Sequence, residues 1–226
     1  MTKSVNSAEK RWYRDACGAA LAMEFVGERW SLLVIRELMF GPRRFGEIRA
    51  NLPGISANIL TQRLAGLEEA GLLRRRMLPS PASAQVYELT PWGLEIEPVF
   101  QALGRWAVRS RRHDPTMPLS PASAMLSLRT MLDPGAIGDW RARIGFRLSG
   151  DRFVATVGDG EVAIERAEPD GADAVVETDT TTLVFTIYGK RPIMEAEADG
   201  RATLTGDRAA WERFVELFAL PAKLDN

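Results

Sequence analysis

The sequence predicts two units in tandem: a mainly helical one that ends in a β-hairpin and a last helix, then an α+β one. Three observations predict this. The hydrophobic period changes from helical to alternating after a Pro-rich stretch, the charge changes sign there, and 226 residues suffice for two cores. Residues 1–112 hold 17 Lys and Arg against 11 Asp and Glu, a net +6, whereas residues 113–226 hold 12 against 19, a net −7. The stretch HDPTMPLSPAS, residues 113–123, carries Pro115, Pro118 and Pro121 and reads as an extended connector between units at 11–112 and 124–226. His113, the only histidine, sits at its edge and reads as a solvated linker residue.

In the first unit, residues 15–26 (DACGAALAMEFV) form an amphipathic helix interrupted by Gly27. Residues 30–40 (WSLLVIRELMF) are apolar on nearly every side except Arg36 and Glu37, so this second helix must be buried on most faces. Gly41 and Pro42 end it, and Phe45, Ile48 and Leu52 mark a short third helix. After the Pro53-Gly54 turn, Ser56 caps a fourth helix whose Leu60, Leu64 and Leu67 form one narrow stripe up to Gly71. Residues 72–78 and 85–90 are two short strands around PSPASA, and residues 91–109 a last helix with Leu94, Val99, Leu103 and Trp106 on one side.

In the second unit a short helix over 122–132 precedes alternation at Ile144, Phe146 and Leu148 and at Phe153, Ala155 and Val157, with turn signals between. Residues 174–178 continue the sheet, 180–188 read as a helix and 202–205 as a strand. Asp207 caps a final helix with Trp211, Phe214, Val215 and Phe218 inward.

A helix, a tight turn, a second helix and a two-stranded ribbon form a winged helix-turn-helix, which sets one helix in the major groove while the ribbon reaches the neighbouring backbone. At ~100° per residue, with the leucine stripe inward, residues 56–70 turn Asn58, Gln62, Ala65 and Glu69 outward, with Thr61 beside them and Arg63 on the other flank. Asn and Gln pair with the N6 and N7 edge of adenine, and Ser or Thr suits a phosphate or either base. Asn58, Thr61 and Gln62 are therefore the expected base readers. Ser56, Arg63, Arg43 and Arg44 ahead of the third helix, and Arg74, Arg75 and Arg76 in the ribbon are the expected phosphate contacts. Because strand side chains alternate, the three ribbon arginines cannot all face DNA.

The basic half favours a polyanion, since neutralised phosphates release counterions, and the acidic half is repelled by one. No run approaches the ~18 apolar residues of a membrane span. The segment MTKSVNSAEK lacks the signs of a signal peptide, and the single Cys17 has no partner for an internal disulfide, so the cytoplasm is the expected compartment. One histidine, one cysteine and no clustered ligand spacing predict no catalytic constellation, no metal and no cofactor.

Residues 15–107 resemble the HxlR family of winged-helix regulators. The likeness rests on Cys17, GERWSLLVIREL (27–38), GPRRFGEI (41–48), GISANILTQRLAGLEEAGLL (54–73) and YELTPWG (87–93). It implies a homodimer, usually a repressor, joined through its first and last helices and binding an inverted repeat near its own or a neighbouring promoter. Members commonly carry a basic residue where this chain has Asn58 and an arginine where it has Ala84; Arg63 or Arg74 to Arg76 would compensate. The family also makes Cys17 a candidate redox sensor, with Arg14 the neighbour that could lower its pKa; the plain alternative is a small buried hydrophobe.

Residues 126–220 resemble the sterol carrier protein fold, most clearly in ADAVVETDTTTLVFTIYGK (172–190) and GRATLTGDRAAWERFVELF (200–218). That fold often encloses an apolar tunnel. Phe146, Phe153, Leu183, Ile187, Trp211 and Phe218 would line a pocket for an apolar effector, or equally form a filled core. The sequence therefore predicts a double-stranded-DNA-binding regulator with a sensing domain. The alternative is a lipid carrier or accessory protein whose helical half only dimerises.

Overall fold

The computed structural model describes residues 13–224; the segment read for targeting and the first two residues of the 11–112 unit lie outside the described residues. The first unit runs α1 (Gly18–Val26), α2 (Ser31–Leu38), α3 (Phe45–Ala50), α4 (Ala57–Glu69), β1 (Leu73–Met77), β2 (Gln85–Leu89), α5 (Pro91–Leu94) and α6 (Glu97–Ala107). Two boundaries differ from expectation. Helix α1 starts at Gly18 rather than at residue 15, because Asp15 Oδ1 takes the Cys17 N–H at 2.9 Å and holds a turn there. The last helix is broken between α5 and α6 by Pro98, which has no N–H and whose ring would clash with the carbonyl four residues back, that of Leu94.

Helix α2 is buried as its composition demands, because it lies between α4 and α7 (Pro121–Met131) of the second unit. Val34, Ile35 and Glu37 are all 0% exposed. The buried Glu37 is partnered at one oxygen only: Ser120 Oγ donates to Oε1 at 2.6 Å and Arg36 Nη2 lies 2.8 Å from the same atom.

The β1–β2 ribbon is antiparallel, with Leu73 opposite Leu89, and Arg43 is bridged to its edge through paired backbone hydrogen bonds with Tyr87 at 2.8 and 2.9 Å. Helix α5 crosses the ribbon's base so closely that a Cβ on Gly93 would stand 2.0 Å from the Leu72 carbonyl oxygen. Gly93→Ala should therefore cost about 1–3 kcal/mol by overpacking. Urea unfolding reads this directly, and an unchanged midpoint would mean that α5 yields.

The second unit continues from α7 through β3 (Ala142–Leu148), β4 (Asp151–Gly158), β5 (Glu161–Glu165), β6 (Ala174–Thr178), α8 (Thr180–Ile187), α9 (Ile193–Ala198), β7 (Ala202–Gly206) and α10 (Arg208–Glu216). It is α+β, with strand order β5-β4-β3-β6-β7; β3 and β6 are parallel and the other neighbours antiparallel. Asp179 and Asp207 cap α8 and α10 by accepting N–H groups of their first turns. The expected elements are present, and β5 is additional.

The six residues expected around a pocket are instead packed together, none more than 1% exposed. The Phe146 and Trp211 rings meet edge-on at 6.2 Å, and Phe214 and Phe218 close the remaining space at 4.8 Å. Trp211 also reaches a surface cavity beside Ile193 and Val215.

The connector is not a solvated tether. Its last residues are covered, Ser120 being 8% exposed, and one core cluster runs through both units. His113 is half-buried with Nδ1 3.2 Å from Lys223 Nζ, and burial together with that ammonium holds its imidazole below the ordinary pKa range. Across the junction Arg105 Nη1 donates to Thr130 O at 2.6 Å, and Arg129 Nη1 pairs with Glu97 Oε2 at 2.9 Å.

Candidate nucleic-acid interface

The turn between α3 and α4 is set by Gly54, at φ 90°, and by Ile55, which is buried and pins it to the core. Ser56 Oγ accepts the Ile59 N–H at 3.2 Å and starts α4. Leu60, Leu64 and Leu67 are buried, and Asn58, Thr61, Gln62, Ala65 and Glu69 are exposed, as the helical angle predicts. The Thr61 hydroxyl donates to Ala57 O at 2.9 Å, so it offers DNA its lone pairs and methyl group rather than a proton.

The arginines divide into three kinds. Arg44 lies exposed at the start of α3, where Glu47 Oε2 accepts its backbone N–H at 2.7 Å. Arg74, Arg75 and Arg76 are exposed on the ribbon and alternate: Arg74 and Arg76 share Glu88 at 2.7 and 2.9 Å, while Arg75 turns to Glu68 at 2.8 Å. Arg76 and Arg74 hold the Glu88 carboxyl below its ordinary pKa. The Arg75–Glu68 pair is the more open, so a phosphate can replace that carboxylate at little cost, whereas the Glu88 carboxyl, 12% exposed, would lose both its arginines together. Arg63 stands between these cases, 20% exposed and 3.0 Å from Glu28.

Arg43 is the exception. Its side chain is 9% exposed and its Nη2 is bonded to Asp151 Oδ2 in β4, whose other oxygen binds Arg166 Nη1. The expectation of a phosphate contact here is overturned, because a carboxylate 108 residues away in sequence already occupies the guanidinium. No local signal in the sequence marks that partner.

Cys17 caps α1 and is exposed, not the small buried hydrophobe that an amphipathic helix suggests. Its thiol pKa is lowered by the backbone N–H groups of Ala19 and Ala20, a helix-start effect rather than one of Arg14. Among the described residues no group of three His, Cys, Asp or Glu could hold a metal ion, and no helix is long and apolar enough to cross a membrane.

Helix α6 buries none of its residues fully, and Val99, Leu103 and Trp106 stand 55, 43 and 73% exposed. Trp92 and Leu94 on α5 and Leu21 and Met23 on α1 are exposed as well.

Residues 25–115 match the HxlR-like helix-turn-helix family. The HTH-type transcriptional regulator YodB of Bacillus subtilis is 40% identical over 86 residues, which is 38% of this chain and 77% of that protein. An HTH-type transcriptional regulator of Mycobacterium tuberculosis, itself uncharacterized, is 39% identical over 103 residues, 46% of this chain and 63% of its own length. Among solved structures, the reduced form of YodB shares 35% identity over 44% of this chain and all of its own, with a TM-score of 0.40. Through its first unit, the chain belongs to the HxlR-like helix-turn-helix family.

Proposed function

We propose that the protein is a cytoplasmic, homodimeric DNA-binding repressor that sets α4 into the major groove of an inverted-repeat operator, with residues 124–226 acting as a sensing unit. The observation that carries this is the outward face of α4, where exposed Asn58 and Gln62 stand over a fully buried leucine stripe, flanked by exposed Arg44 and the ribbon arginines. The relatives are HTH-type transcriptional regulators, and the sign of regulation follows the family's habit. The apolar surface of α1, α5 and α6 supports a dimer joined there. The lipid-carrier alternative leaves the α4 face and the +6 balance unexplained. The sterol-carrier likeness of the second unit rests on its sequence pattern and its α+β architecture.

The test is footprinting and band shifts on DNA upstream of the protein's own gene, where a palindrome with half-sites ~34–36 Å apart, or a multiple, is expected. Asn58→Ala and Gln62→Ala should each weaken specific binding by ~1–3 kcal/mol and spare nonspecific binding. Arg44→Ala should weaken both alike and reduce the salt slope. Identical behaviour of the two classes on operator and random DNA would displace α4 as the reading helix.

A second reading concerns Cys17, because its thiol is both exposed and lowered in pKa. Oxidant or electrophile treatment should change operator affinity in the native protein and leave Cys17→Ser unaffected; equal responses would remove the sensor role.

A further inference from the structure

Between the two units lies an apolar cavity of about 310 Å³. Helix α6 contributes Phe100 and Gly104 to its wall, α7 Leu126 and Met131, and α8 Val184. At Gly104 the neighbouring helix comes close, since a Cβ there would stand 3.7 Å from Thr130 Cγ2. The volume falls at the small end of the ~300–1,000 Å³ range of ligand sites.

At the connector end the cavity lining holds Asp114, whose Oδ1 accepts the Thr116 N–H at 2.9 Å and hydroxyl at 2.6 Å, and His113, whose Nδ1 lies 3.2 Å from Lys223 Nζ. The hydroxyls of the wall can be followed proton by proton. Ser127 Oγ donates its single proton to Ala124 O at 2.7 Å. Tyr188 lies with its hydroxyl 2.9 Å from Ser127 Oγ, and with the Ser127 proton on Ala124 O it is the donor of that pair. Tyr188 and Ser127 both line the cavity, and the Tyr188 oxygen is left with lone pairs and no free proton to offer there. Burial raises the pKa of this phenol, which stays neutral. Thr130 Oγ1 is also spent, on Leu126 O at 2.7 Å. Ser123, at the connector end, can donate or accept and sets no preference.

We propose that this cavity is the effector site and that it takes a small, neutral, mainly apolar molecule bearing a hydroxyl that donates to the Tyr188 oxygen: a phenol or alcohol rather than an ether, ketone or carboxylate. The word effector rests on the regulator reading above; the site and its chemistry do not. Helix α6 gives the site its leverage, because it carries the cavity wall at Phe100 and Gly104 and the exposed Val99, Leu103 and Trp106 face. A molecule that holds α6 away from α7 alters the angle at which two copies can meet, and only such a difference between states shifts an equilibrium.

Titration calorimetry on the full chain with 4-propylphenol and with 4-propylanisole, its methyl ether, tests the assignment. The phenol should bind about tenfold more tightly, the ether leaving the buried acceptor unmet. Tyr188→Phe should bring the phenol down to the ether and leave the ether unchanged. Ser127→Ala, which frees the Tyr188 proton, should narrow the preference. Equal affinity of the native protein for both compounds, or no heat with either up to millimolar concentration, overturns the site without reference to any variant. Band shifts with saturating phenol then test the coupling: an altered operator affinity supports the effector role, and an unchanged one overturns it. DNA binding that is absent altogether, with calorimetry intact, would sink the regulator reading and leave the cavity assignment standing.

Discussion

Trp106→Glu is expected to convert the protein from dimer to monomer and to lower operator affinity by two orders of magnitude or more, with the subunit still folded. Trp106 is 73% exposed within the chain, so its replacement removes little from the subunit's own core. In a symmetric pair the same position recurs on both partners, and a carboxylate buried there without a counter-charge is opposed twice. Large aromatic residues near the centre of an interface also carry a disproportionate share of its binding energy. A monomer presents one reading helix to one half-site and loses the joint attachment of two. Light scattering at band-shift concentrations decides the matter. A dimer that survives Trp106→Glu and also Leu103→Glu would place the interface elsewhere.

Asp151→Asn should cost about 3–5 kcal/mol of stability, whereas Arg43→Met should cost distinctly less. The difference follows from geometry. Asp151 is 15% exposed and stands between Arg43 and Arg166, so neutralising it leaves two largely buried guanidinium groups facing each other. Burial and the charge of Arg43 already lower the pKa of Arg166. Removing Arg43 leaves the Arg166–Asp151 pair intact, with Arg166 still resting on the Phe153 ring at 4.6 Å. Denaturant unfolding measures both variants, and an Asp151→Asn loss no larger than that of Arg43→Met would show that water, not the carboxylate, balances the arginines. Arg43→Met should also leave the salt slope of DNA binding unchanged, in contrast to Arg44→Ala.

The parts of the fold that were legible in the sequence are those whose cause is local. Ser56, Asp179 and Asp207 announce the helices they cap, and the spacing of Leu60, Leu64 and Leu67 fixes which side chains of α4 face outward. The break before α6 was also local, in Pro98, and the alternation of Val162 and Ile164 with exposed Glu161, Ala163 and Glu165 marks β5 as plainly as any other strand. The rest depends on pairings far apart in sequence. Arg43 reads as a surface arginine until Asp151 is folded against it, and His113 reads as solvated until Lys223 and the C-terminal segment cover it. Apolar stripes indicate burial and not whether the buried space is filled. Phe146 and Trp211 therefore could not be told from pocket walls, while the cavity at Tyr188 needed α6, α7 and α8 in place together.

The arrangement of charge has a consequence for how the molecule approaches DNA. The unit of net +6 and the unit of net −7 meet across the contact of α2 with α7, so a total charge of −1 is divided in space as well as in sequence. In the field of a duplex a body so divided experiences a torque, which favours the first unit turned toward the DNA. Fewer encounters are wasted in the wrong orientation, and the gain falls in the association rate rather than in the strength of the final complex. Salt shortens the range of that torque to about 10 Å at 0.1 M, which confines the alignment to the final stage of approach.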